Sequence, residues 1–172
     1  MSVRRLSAVV CMLIAAVCVL SACSFPSKQI DTLTQSEPDS TRQRAMRRLS
    51  LASAYFEQNQ NDVAQQEVRA ALQIDPSYAD AYGLLGLIHQ RDNAPILAQQ
   101  SFEQAIALSS KAPLRATELA PIQHNYGWFL CEQNKFTEAQ TQFDRALAQP
   151  SYRQGDKTRQ AMALCKARQL NK

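Results

Sequence analysis

The chain has 172 residues, 45% of them hydrophobic and 20% charged, with 4 Gly and 7 Pro, which suits one packed domain and excludes a disordered or fibrous chain. Its formal charge is +4, and without Arg4 and Arg5 about +2 remains, too small a surplus for a nucleic-acid-binding surface. His89 and His124 lie far apart in sequence and no C-x2-C or H-x3-H spacing occurs, so neither a metal site nor a cofactor is expected.

In chain order, Arg4 and Arg5 precede an uncharged, mostly apolar run at residues 6–20, LSAVVCMLIAAVCVL. Spanning a bilayer takes about 20 apolar residues, so the run suits the apolar region of a signal peptide better than a membrane helix. The four residues that close it, LSAC at 20–23, resemble a bacterial lipobox. That resemblance implies cleavage after residue 22 and acylation of the Cys23 thiol, the lipid attachment site. At about 0.8 kcal/mol per buried CH2, several acyl chains on one residue would hold the protein firmly to a membrane. Ser24 rather than Asp follows the cysteine, which implies the outer membrane, periplasmic face. Residues 23–41, polar and carrying two prolines, read as the lipidated N-terminus and a flexible tether.

From residue 42 onward the sequence reads as helices separated by short polar breaks, with no strand-like alternation. Residues 51–76 superpose on 85–110 at a period of 34, and 126–151 superpose on the second copy at a period of 41. A period of 34 with this pattern resembles the tetratricopeptide repeat, two antiparallel helices per unit. The expected fold is all-α: a tetratricopeptide-repeat superhelix of three helix-turn-helix repeats, about 45–78, 79–112 and 120–153, plus a C-terminal helix at 154–170. Ala52, Gly86 and Gly127 are the small residues where the first helix of a pair meets the second. Ala64, Ala98 and Ala139 are their small partners, and Val68, Phe102 and Phe143 fill the gap beside them. The seven extra residues near 113–119 are expected to lengthen the loop or the start of the next helix.

In such an array the first helices line a concave face. The expected groove residues are Met46, Leu49, Ser53, Phe56 and Glu57 in the first repeat and Asp80, Gly83, Leu87, Gln90 and Arg91 in the second. The third contributes Pro121, His124, Trp128, Cys131 and Glu132. Phe56, Leu87 and Trp128 would form an apolar stripe bordered by Glu57, Arg91 and Glu132, suited to an extended or helical peptide. On that reading, Trp128→Ala weakens partner binding and leaves the helices intact, whereas a purely packing role for Trp128 predicts unfolding.

The helix at 154–170 is either a cap over the last repeat or the first helix of a fourth. Cys131 and Cys165 both sit in apolar helical patterns and read as buried thiols, a disulfide being the alternative. No nucleophile–base pair, carboxylate dyad or Gly-rich phosphate loop is present, so neither catalysis nor a small-molecule substrate is expected.

The run HNYGWFLCEQNKFTEAQTQFDRALAQPSY (124–152) resembles the PilF/PilW family of type IV pilus biogenesis and stability lipoproteins. Asn125, Tyr126, Gly127, Phe129, Leu130, Cys131, Gln133, Glu138, Ala139, Pro150 and Tyr152 carry the likeness, and His124 stands where the family has Asn. The resemblance implies a pilotin: a lipid-anchored scaffold that binds the outer-membrane secretin subunit and promotes its localisation and multimerisation. The alternative is a repeat-lipoprotein adaptor for outer-membrane protein assembly or for cell-wall enzymes. Members of the family are usually longer, with further repeats, so this chain reads as a shortened member, a truncated gene product or a partial-function paralogue.

Overall fold

The computed structural model describes residues 40–110 and 116–171. The signal segment, Cys23 and nearly all of the tether lie outside the described residues. Among the described residues seven helices follow in order: α1 Thr41–Glu57, α2 Asn61–Ile74, α3 Ala79–Arg91, α4 Pro95–Ser110, α5 Ala116–Glu132, α6 Phe136–Leu147 and α7 Gly155–Leu170. Among the described residues there is no strand. Helices α1/α2, α3/α4 and α5/α6 pair, and α7 packs on α6 and α5 as α5 packs on α4 and α3. The stretch Asp39–Lys172 forms one compact unit, and none of the described helices is long and apolar enough to cross a membrane.

Each pair is closed by the same local chemistry. Asn59, Asn93 and Asn134 have φ of 60°, 55° and 63°, the left-handed conformation that ends helices. Around each, two hydrogen bonds reach back: Gln60 N–H to Tyr55 O and Asn59 N–H to Phe56 O, Ala94 to His89 and Asn93 to Gln90, Lys135 to Leu130 and Asn134 to Cys131. This is the Schellman pattern with Asn in the place usually held by Gly. The array opens on a capping box, Ser40 Oγ accepting from Gln43 N–H while Gln43 Oε1 accepts from Ser40 N–H. Between the first two repeats, Asp75 Oδ1 accepts from the Ser77 N–H and hydroxyl at 2.9 and 2.7 Å, fixing the turn that carries Pro76.

Close helix approach follows from the small residues. A Cβ on Gly86 would lie 2.8 Å from the Phe102 ring, and one on Gly127 would lie 2.8 Å from that of Phe143. In the first repeat Ala52 and Val68 hold the equivalent positions, both fully buried. The aromatics then pack onward, Phe102 lying 5.5 Å from Tyr126 and 5.7 Å from Phe129 between ring centroids. The extra residues between repeats divide: those from Ala116 add a turn to the start of α5, and 113–115 lie outside the described residues.

Cys131 and Cys165 are not free thiols. They form a disulfide with Cα atoms 5.8 Å apart. Apolar patterning placed both in the core, but only the stacking of α7 beside α5 brings them within bonding distance.

Candidate functional site

The first helices α1, α3 and α5 line one face, and two connected stretches of cleft run along it. The larger, about 430 Å³, is lined by Phe56, Leu87, Gln90, Arg91 and Glu132. The smaller, about 190 Å³, is lined by Leu49, Ser53, Asp80, Gly83, Leu84, Leu87, Pro121, Ile122 and Asn125, with Leu87 common to both. One helical residue in every three or four faces the same way, which is why positions chosen by repeat register converge here.

Arg91 is held in place rather than waving in solvent. Its guanidinium carbon lies 3.5 Å from the Phe56 ring centroid, and Nη1 donates to Phe56 O at 2.6 Å and Asn59 Oδ1 at 3.2 Å. Gln90 Nε2 donates to Glu132 Oε2 at 2.6 Å, bridging the second and third repeats. Its other amide atom, Oε1, is buried without a hydrogen-bond partner among the described residues. A buried acceptor left without a donor is a local energetic cost at the junction of the second and third repeats.

The other sequence-predicted positions separate. Met46 and Glu57 are exposed and line neither stretch. Trp128 is half-buried, packed against the core around Phe102, Phe129 and the disulfide, and lines neither stretch either. His124 Nδ1 lies 2.9 Å from Thr158 Oγ1 of α7, and Tyr152 OH is 2.9 Å from the same hydroxyl. Burial first, and then the charge of Lys157, hold the His124 imidazole below its ordinary pKa. Cys131 is fully buried in the disulfide and offers nothing to the groove. The packing residues Ala52, Ala64, Ala98 and Ala139 are all fully buried.

Leu84, Ile122 and Asn125 join the cleft without having been expected. Each is a neighbour of an expected position on a first helix, so the signal was the width of the concave face rather than a single stripe. Tyr126 lies behind it, its hydroxyl donating to Glu103 Oε1 at 3.1 Å. Burial and then the Glu103 charge push its phenol pKa up, so it remains a neutral donor. Among the described residues no three His, Cys, Asp or Glu side chains cluster as a metal site.

Comparison with known proteins agrees with this architecture. Residues 52–93 match a family described as TPR repeat, and residues 79–111 one described as tetratricopeptide repeat. Over 147 residues the chain is 32% identical to an uncharacterized protein of Haemophilus influenzae, spanning 85% of this chain and 78% of that one. Over 91 residues it is 34% identical to the type IV pilus assembly protein PilF of Pseudomonas aeruginosa, spanning 53% of this chain and 33% of PilF. A solved structure of Pseudomonas aeruginosa PilF superposes with a TM-score of 0.66 at 28% identity, covering 74% of this chain and 55% of that one. The solved structure of PilW, described as a widely conserved type IV pilus biogenesis factor, gives 0.66 at 30%, covering 75% and 56%. The chain thus matches about a third of the PilF sequence and rather more than half of each solved chain.

Proposed function

Because the chain belongs to the tetratricopeptide-repeat family that includes PilF and PilW, we propose that it is a pilotin-like scaffold for type IV pilus biogenesis. In this reading the cleft grips a segment of an outer-membrane secretin subunit, and acylated Cys23 tethers the domain to the periplasmic face of the outer membrane. The supporting observation is the cleft itself: the Phe56 and Leu87 side chains flanked by ordered Arg91 and Glu132. Such a surface offers apolar anchorage in its middle and charge at its rim. The function needs affinity for an unassembled subunit and no bond-making chemistry.

The test is the secretin's detergent-resistant ring on an unboiled gel, in cells with and without this protein. Loss of the ring, with monomer accumulating in the inner membrane, supports the reading; an unchanged ring overturns it. For the anchor, Cys23→Ala should remove the protein from the outer-membrane fraction. A Cys23→Ala protein still found there would mean that something other than the acyl chains holds it.

A further inference from the structure

Glu57, Arg91 and Glu132 hold the same place in the three repeats, each the last residue of its first helix. Their charges alternate along the array, and among the described residues no ion pair joins any of them to another group. Arg91 and Glu132 line the larger stretch of cleft together. Both are held by neutral partners, Arg91 by Phe56 O and the Asn59 amide oxygen and Glu132 by the Gln90 amide. Each charge is therefore fixed in place without being neutralised. The charges nearest in sequence are engaged elsewhere, Asp92 accepting from Asn61 at 2.5 Å and Lys135 donating to Gln99 on α4 at 2.8 Å.

We propose that the cleft selects an extended protein segment carrying both signs of charge. An acidic side chain meets Arg91, a basic one meets Glu132, and apolar side chains between them lie on Phe56 and Leu87. This deepens the reading of the cleft as the partner site and rests on it. One turn of α-helix with its side chains fills on the order of 400–600 Å³, as much as the about 430 Å³ of this stretch. A helix would fill it within that turn, whereas an extended segment passes along it and reaches both charges. Arg91 stands on α3 and Glu132 on α5, which pack on each other. Packed helices lie about 8–10 Å apart and an extended chain advances about 3.3 Å per residue, so acid and base fall about three residues apart.

Fixed charges make the choice strict. Arg91 and Glu132 are already ordered by their own hydrogen bonds, so meeting a segment loses little of their side-chain entropy. A segment with acids at both places sets one of them against Glu132, and a segment with bases at both sets one against Arg91. The cleft thus reads the sign of charge at each place as well as the apolar fit between them.

The probe is a set of short synthetic peptides with a neutral fluorophore, titrated by anisotropy into the full chain in detergent. Each holds leucine and valine between two charged positions, in a serine and glycine background. One peptide carries aspartate and lysine, made in both orders; the others carry two aspartates or two lysines. Saturable binding of the mixed peptide in its better order is expected, with the other two about tenfold weaker. Glu132→Lys should make the two-aspartate peptide the tightest binder, and Arg91→Glu the two-lysine peptide. A variant that merely unfolds produces neither exchange of rank. Glu132→Lys removes the bond from Gln90 and no ion pair, so it carries the test by itself if Arg91→Glu does not fold. No saturation by about 1 mM, near the weak limit of specific association, overturns the proposal. So does equal binding of all the peptides, tightest binding of a peptide of one sign, or a rank order that Glu132→Lys leaves unmoved. The secretin ring keeps the two readings apart. A ring lost without the protein, beside equal peptide binding, leaves the pilotin reading and removes the charge rule; an unchanged ring beside the expected ranks does the reverse.

Discussion

Gly86 and Gly127 face phenylalanine rings at 2.8 Å from where a Cβ would stand, while the first repeat combines Ala52 with Val68. The chain thus solves one packing problem twice, trading bulk on one helix for bulk on the other. Gly127→Ala is expected to cost about 1–3 kcal/mol in urea unfolding, through overpacking against Phe143. Combining it with Phe143→Val should cost less than the sum of the single changes, by about 1 kcal/mol or more, a coupling that a double-mutant cycle reads directly. Trp128 presents a different case: packed half-buried on the third-repeat core, it is expected to lower stability measurably when cut to alanine. His124 adds a pH dependence. Its imidazole is held below the ordinary 6.5, so folding favours the neutral ring. The stability it contributes is complete above that value and is lost as pH falls through the interval below it. Exchange of α7 amide hydrogens, corrected for intrinsic rates, should quicken between about pH 7.5 and pH 5, and His124→Asn should flatten that change.

The three helix pairs share one closing device, and it rests on asparagine. Asn59, Asn93 and Asn134 adopt positive φ in turns whose hydrogen bonds are otherwise identical. Replacing Asn93 by alanine forces a Cβ-bearing residue without a compensating amide into that conformation, at an expected cost of about 1 kcal/mol. Asn93→Gly should be neutral or slightly stabilising by thermal unfolding, because glycine takes the left-handed region without steric cost. Turns between repeats are less uniform. The first, with Asp75, Pro76, Ser77 and Tyr78, uses an acid to cap itself and to meet Arg42 at 3.1 Å. Its later counterpart, with Pro150, Ser151 and Tyr152, keeps the Tyr N–H bond back to Gln149 but spends its tyrosine hydroxyl on Thr158. That hydroxyl ties the turn to α7.

Across the whole molecule, stability in a repeat array is a sum of units and their interfaces, so the two ends need not melt alike. The disulfide closes a separation of 34 residues and ties α7 to α5. Its loss through Cys165→Ser is expected to cost about 3–4 kcal/mol by chain-entropy reasoning, concentrated in α7 and α6. Hydrogen exchange should show those helices loosening while α1–α3 keep their protection; uniform loosening would mean that the array unfolds as one block. The cleft spans all three repeats, its walls joined by Arg91 reaching back to the first and Gln90 forward to the third. Loosening at the C-terminal end therefore reaches the cleft through its α5 residues, Glu132 in one stretch and Pro121, Ile122 and Asn125 in the other.

The sequence by itself determined the repeat count, the period, the small residues at helix crossings and most of the concave face, because each depends on periodicity along a chain of regular helices. It placed Leu49, Ser53, Phe56, Leu87, Gln90, Arg91 and Glu132 on one surface, and they line the two stretches of cleft. Tertiary structure alone decided the rest. Whether Cys131 meets Cys165, and whether His124 and Trp128 open to the groove or pack beneath α7 and the third-repeat core, depends on distances between helices that sequence spacing does not contain. Periodicity fixes which side of a helix a residue occupies, and only the stacking of helices fixes what stands opposite it.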